Sequence, residues 1–258
     1  MQRNKPTVQD YSAYTPEDFH VWRLLYERQL PFVQANASQL YLDALNKIGF
    51  NAEEIPHFDE TTRRLQQHTG WQLIVVPELV PQKDFFEMLT NKTFPATCWL
   101  RTFEELDYIE EPDMFHDVFG HVPLLANPAY ARFMEGFGKL ALKWLHEREA
   151  VALLGRVYWF TIEFGLLGNG NDIHIYGAGI ISSIEEIRSA ISDRSVKHGF
   201  DVARCLQMPY RTDIIQEHYF VIKSFEQLYA ALPLINEVLR AKYNVHLSGI
   251  AGKDNWLD

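Results

Sequence analysis

Two histidines five residues apart, His116 and His121, stand in the segment Glu111-Pro-Asp-Met-Phe-His116-Asp-Val-Phe-Gly-His121-Val-Pro. The chain holds ten histidines, so most are ordinary surface or core side chains; this pair is set apart by the glycine and proline around it. On an ideal helix five residues rotate by about 140°, which puts the two imidazoles on different faces. A helix that stops near Gly120 lets His121 swing back towards His116, and Gly120 and Pro123 are of the types that stop helices. The His-Glu-x-x-His pattern of zinc proteases is absent. Two neutral imidazoles and one carboxylate on one side of a metal suit Fe(II), with positions left open for oxygen and substrate; zinc competes for the same donors. The best candidate for the carboxylate is Glu163, in Tyr158-Trp-Phe-Thr-Ile-Glu163-Phe-Gly. An isolated carboxylate in so aromatic a stretch costs several kcal/mol unless it is paired or holds a cation. A salt bridge to an arginine such as Arg156 is the plainer alternative.

These residues need helices to carry them, and the chain supplies helix signals throughout. Thr15-Pro16-Glu17-Asp18 reads as an N-cap, a first-turn proline and acids at a helix start. A second helix is expected over residues 38–48 with Gly49 as its stop, and a third from about 60 to 68. Residues 71–76 and 97–101 read as short strands, with a helix over 84–90 between them. Helical pattern resumes after Pro112 and runs through Phe119. Asn127-Pro128 starts a long helix to about Arg148, followed by another from about 150 to 167. Residues 173–176 read as a strand and Ser183 with Glu186 as a capping box for a helix to about 191. A strand over 219–222 and a helix capped by Ser224 and Gln227 close the pattern. The expected organisation is a flexible arm over residues 1–14, one domain over 15–243 and a polar tail over 244–258, mostly α with a few short strands.

Composition narrows the class. Of 258 residues 47% are hydrophobic and 22% charged, as in soluble globular domains, which excludes disorder or coiled coil as the main character. The net charge of −10 argues against nucleic-acid or anionic-membrane partners, which call for a basic face. Cys98 and Cys205 lie far apart and outside any Cys-x-x-Cys pair, so two reduced, buried thiols are expected. The polar start lacks an apolar signal core, and residues 151–167 are interrupted by Arg156 and Glu163, so neither a signal peptide nor a membrane span is expected. A cytoplasmic location follows as the expectation. Aromatics stand out at 14%; either they only fill a large core or some of them line a site for something flat.

The stretches EPDMFHDVFGHVPLL, YWFTIEFGL and IYGAGIISS, in this order and at these separations, resemble the catalytic domain of the pterin-dependent aromatic amino acid hydroxylases, the bacterial phenylalanine hydroxylases in particular. The resemblance extends from about Tyr11 to Leu232. It implies a single, mostly helical catalytic domain around an iron site. It implies His116, His121 and Glu163 as ligands of Fe(II), with a tetrahydropterin and O2 as cosubstrates. It implies Arg101 as the clamp on the amino acid carboxylate, a task suited to a planar guanidinium. Trp159 and Phe164 match the aromatic wall of the substrate pocket, Gly179 a glycine beside the substrate, and Ser182 a serine near both substrate and a ligand histidine. Phe85 matches the ring on which the pterin stacks. Val80, Gln82 and neighbouring backbone match pterin contacts, Asp117 a carboxylate that reaches the pterin through water, and Tyr158 a tyrosine near the iron.

The implied reaction is 4-hydroxylation of L-phenylalanine to L-tyrosine. A sister reaction on tyrosine or tryptophan is the alternative, and Trp159 argues against the tryptophan enzymes, which carry Phe there. The implied partners are small molecules only, in a monomer or dimer. The resemblance also implies no N-terminal regulatory domain and no C-terminal tetramerisation helix. A non-catalytic binding module would lack part of the ligand set. A 2-oxoglutarate oxygenase would need a strand-rich jelly roll that this helical pattern does not supply.

Overall fold

A computed structural model describes residues 5–107 and 109–243. The expected polar tail over 244–258 lies outside the described residues. Residues 5–14, expected as a flexible arm, lie against the body. Tyr11 stacks on His57 at 3.7 Å between ring centroids, and the Tyr14 hydroxyl donates to the Cys98 carbonyl at 2.6 Å.

The helix starts follow local chemistry. In α1 (Pro16–Asn36) Thr15 and Asp18 form a reciprocal capping box. In α2 (Gln39–Ile48) Ser38 caps the start, and Gly49 ends the helix at φ 72°, a conformation that favours glycine. Next come α3 (Phe58–His68), β1 (Gln72–Val75), α4 (Gln82–Thr90) and β2 (Thr93–Ala96). The second strand therefore lies earlier than the expected 97–101. It contains Pro95, a residue that strand interiors disfavour. Because β1 draws on the carbonyls of Lys92 and Ala96, the neighbouring Pro95 turns its nitrogen to the open edge, where a missing N–H costs nothing.

After α5 (Val122–Leu125), Asn127 caps α6 (Pro128–Lys143). This helix stops earlier than expected because Trp144 turns inward and donates its indole N–H to Asn236 at 3.0 Å. A new helix, α7 (Arg148–Tyr158), precedes a mixed sheet. In that sheet β3 (Gly165–Asn169) pairs antiparallel with β4 (Asp172–Ile175). Residues 165–167, expected as helix, are thus strand. The short α8 (Ala178–Ile181) and α9 (Ile184–Ile191) lead to β5 (Val196–Gly199) and α10 (Val202–Gln207), neither of which was expected. β6 (His218–Ile222) lies parallel to β3 and β5, giving the order β4-β3-β6-β5. The last helix, α11 (Phe225–Tyr243), packs on α6, which also packs on α4. Gly138 makes the α4–α6 approach possible: a Cβ there would stand 2.8 Å from the Leu89 Cβ. The architecture is mostly helical, as expected; aromatic rings of α1 and α2 pack on Phe115 and Phe119, and Tyr130 of α6 packs on Phe225 of α11. Both cysteines are free and buried, and burial pushes the Cys98 thiol up to about 11 and Cys205 to about 12, so neither is a reactive thiolate.

The expected capping box at α9 is half present. Ser183 accepts the Glu186 N–H, but the Glu186 carboxyl turns into the protein. It accepts the Gln216 N–H at 3.1 Å and meets the Tyr219 hydroxyl at 3.0 Å, while that hydroxyl also lies 2.9 Å from the Gln216 carbonyl. One phenolic proton cannot serve both acceptors; a proton on Glu186 completes the circuit. Burial accordingly pushes Glu186 up to about 7 from its ordinary 4.5, against the opposing effect of these hydrogen bonds. The folded value exceeds the unfolded one, so the stabilisation is complete below pH 4.5 and is lost as pH rises through 7. Glu186→Gln, which mimics the protonated acid, should leave stability at pH 4.5 nearly unchanged. At pH 8 it should raise it by up to roughly 3 kcal/mol. Urea unfolding at the two pH values measures this; equal effects at both would refute the neutral-acid assignment.

Candidate metal centre and active site

The helix around His116 does not stop at Gly120, contrary to the expectation. It widens: Phe115–His121 is a π-helix that continues into α5. Closure from i to i+5 makes residues five apart neighbours, so the spacing that misplaces two ligands on an α-helix brings them together here. Pro123 contributes, because it has no N–H to offer the Phe119 carbonyl four residues earlier. The fully buried Tyr41 hydroxyl, arriving from α2, donates to that carbonyl instead. Glu163 ends a second π-helix, Trp159–Glu163, with the bond from the Phe164 N–H to the Trp159 carbonyl at 2.8 Å. There the Thr161 hydroxyl takes the Val157 carbonyl.

The two widened turns face each other. His121 Nε2 lies 3.2 Å from Glu163 Oε1, His116 Nε2 lies 3.7 Å from Glu163 Oε2, and the two Nε2 atoms are 3.3 Å apart. Among the described residues this is the group of three potential ligands whose donor atoms converge, all within 4.8 Å of one another. Ser182 orients His116: its hydroxyl donates to the Ala178 carbonyl at 2.8 Å, so it accepts from His116 Nδ1–H at 2.9 Å. This tautomer leaves the His116 Nε2 lone pair directed at the cluster. His121 is packed beneath Phe94, 5.1 Å between centroids, and its Nδ1 is buried without a protein partner. Burial lowers the His116 value, Glu163 notwithstanding. At His121 burial acts in the same sense, but the Glu163 carboxylate outweighs it and the value is raised. Burial alone would raise Glu163; the two histidines hold it below the ordinary range, as a carboxylate. Two lone pairs and an anion aimed at one point are what a cation relieves, and one-sided N2O donation fits a divalent metal with open positions.

This geometry coincides with a match to known proteins. Residues 5–254 match the family described as biopterin-dependent aromatic amino acid hydroxylase. The chain belongs to this family. A phenylalanine-4-hydroxylase of Ralstonia nicotianae is 45% identical over 224 residues, 86% of this chain and 71% of that one. One from Pseudomonas aeruginosa is 40% identical over 241 residues, 92% and 91% of the two chains. The solved structure of Chromobacterium violaceum phenylalanine hydroxylase with bound iron(III) and oxidised cofactor 7,8-dihydrobiopterin superposes with a TM-score of 0.85. It is 40% identical and covers 91% of this chain and 85% of that one.

The other expected hydroxylase site residues fall into groups. Trp159 and Phe164 pack together at 4.5 Å, and Gly179 lies flat against Phe164, where a Cβ would stand 2.7 Å from the ring. Phe85, one turn into α4, meets Tyr158 edge-on at 5.7 Å, and Tyr158 adjoins the Glu163 carboxylate. Burial beside that carboxylate raises the Tyr158 phenol well above its ordinary value. Val80 and Gln82 stand at the entrance of α4, half-buried and exposed respectively. Asp117 accepts the Thr97 N–H and hydroxyl at 2.8 and 2.9 Å, yet burial still raises its value. Arg101 is buried, and its fork is taken by Asp113: Nε to Oδ2 and Nη2 to Oδ1, both 2.9 Å.

Sequence reasoning missed Asp113, which is wholly buried and also accepts the His116 N–H at 3.2 Å, tying Arg101 to the first widened turn. An acid three residues before His116 among apolar neighbours was its available signal, since capping side chains occupy that offset. Thr97, Phe94, Tyr210 and Gln216 left no signal, because each acts across 20 or more residues.

Glu163→Ala should abolish stoichiometric iron binding in metal analysis of the purified protein; full occupancy would remove Glu163 from the ligand set. Ser182→Ala should keep the ligands but free the His116 ring, weakening iron affinity about ten- to a hundredfold in a chelator competition.

Proposed function

We propose that this hydroxylase converts L-phenylalanine to L-tyrosine with O2, a tetrahydropterin and Fe(II) held by His116, His121 and Glu163. The observation that carries this is the convergence of those three donors beside the Trp159–Phe164 aromatic wall. Relatives named phenylalanine-4-hydroxylase, at 40 to 45% identity, support the choice of substrate. Iron and tetrahydropterin, when bound, supply the activation of O2; the protein supplies position and electrostatics.

Arg101 takes the substrate carboxylate. Asp113 saturates one edge of its guanidinium and fixes the plane, which leaves Nη1, whose 3.5 Å contact to the Leu106 carbonyl is long, for the incoming anion. Trp159, Phe164 and Gly179 receive the aromatic ring, with the glycine letting the Phe164 ring lie directly against the backbone. Phe85, the backbone near Val80 and Gln82, and Asp117 are the residues that would hold the pterin, Phe85 by stacking and Asp117 through water. Tyr158 closes the space between Phe85 and Glu163. The low-polarity walls exclude water from the reacting centre. Two buried, unpaired thiols favour a reducing compartment, and we assign the protein to the cytoplasm with small molecules as its partners. No helix among the described residues is long and apolar enough to cross a membrane.

Purified protein supplied with Fe(II), tetrahydrobiopterin, O2 and each aromatic amino acid in turn should make tyrosine from phenylalanine faster than any product from tyrosine or tryptophan. Absence of tyrosine would overturn the assignment. Arg101→Ala would strand the buried Asp113 charge, so Arg101→Lys is the cleaner variant: it keeps the cation and loses the fork. It should raise KM for phenylalanine roughly ten- to a hundredfold with a smaller change in kcat.

A further inference from the structure

Trp159 is held from three directions. Tyr210 stacks on it at 4.6 Å and 19° between planes, Phe164 leans on it at 4.5 Å, and its indole N–H donates to Gln216 Oε1 at 3.0 Å. The orientation of the Gln216 amide is unambiguous, because its Nε2 donates to the Arg211 and Ile214 carbonyls, both at 2.8 Å, and leaves Oε1 as the acceptor facing the indole. The Gln216 backbone is fixed equally well: its N–H goes to Glu186, and its carbonyl accepts from Ser189 at 2.9 Å. Gln216 is 6% exposed and every polar group it owns is engaged. None is left over for a ligand, so its role is exerted through Trp159.

We infer that Gln216 is a positioning residue that sets the tilt of the Trp159 indole and thereby the discrimination of the pocket between phenylalanine and larger aromatic rings; this rests on Trp159 being the pocket wall. Stacking alone does not fix the wall. The second side-chain torsion of tryptophan is broad and roughly two-fold, so the slot between Tyr210 and Phe164 admits the indole in either of two orientations related by a flip about the Cβ–Cγ bond. A hydrogen bond from the one polar atom of the ring removes that freedom. The acceptor comes from a segment anchored to α9 and β6 rather than to the π-helix that carries Trp159, so the wall is referenced to the frame of the molecule. A rotated indole would open space at one edge and close it at the other. The residue that sets its angle therefore acts on ring size, not on the iron.

The test is a double-mutant cycle in the iron-loaded enzyme with Gln216→Met and Trp159→Phe. Phenylalanine affinity is read by calorimetry and the kcat/KM ratio of tryptophan to phenylalanine by product analysis. Gln216→Met alone should weaken phenylalanine binding about three- to tenfold and raise the tryptophan-to-phenylalanine ratio, with iron content unchanged. In the Trp159→Phe background, where no indole N–H remains, the same substitution should add little to either readout. Additive effects, or a single variant with the parent's affinity and ratio, overturn the inference. If Trp159→Phe itself leaves both readouts at the parent values, the wall reading fails first, and the inference with it. Gln216→Asn, one methylene too short to reach the indole, replaces the Met variant should that fail to fold, and the same outcomes apply.

Discussion

Everything at this site depends on two helices that widen by one residue. Histidines five apart share a face only when the hydrogen-bond ladder closes from i to i+5, and Glu163 reaches them from a second turn of the same kind. Such turns are disfavoured because they leave backbone carbonyls without their usual donors. Tyr41 answers for Phe119 and Thr161 for Val157. The backbone turns that carry the ligands are thus stabilised by side-chain hydrogen bonds of their own.

A second layer holds the turns together. The segment from Gly177 to Ser182 runs against both: Gly120 lies tight against Ala178, and Gly177 meets the Glu163 carbonyl and Gly179 the Phe164 ring at a range where a Cβ would collide. Ser182 then bonds His116, and Asp113 ties the start of the first turn to Arg101. Substrate clamp, ligand histidine and aromatic wall are therefore parts of one packed unit, in which a shift at one is felt at the others.

Much of this was legible in the residues. Caps such as Thr15, Ser38 with Gly49, and Asn127-Pro128 work locally, and local chemistry is what a sequence displays. The three donors were legible by type and context, although the way His121 returns to His116 was not. An ideal helical period predicts a stop at Gly120, whereas a π-turn depends on Tyr41, 78 residues away from Phe119. The strands Thr93–Ala96 and Gly165–Asn169 were missed for related reasons. One contains a proline tolerated only at an open edge, and the other is an apolar continuation of a helix that ends because Gly165 packs against Thr161 and Tyr176. The partners Thr97 and Gln216 became visible only once the chain was folded around them, whereas Asp113 carried a local signal in its offset from His116.

The long reach of the contacts that shape the ligand turns has a consequence in time. His116 and His121 leave the ribosome well before Glu163 and Ser182, and the turn that aligns them needs a tyrosine made much earlier. No short stretch of the nascent chain can present the full donor set. The donor set is complete only where segments distant in sequence have come together. The folded pocket is the form of the chain that offers all three.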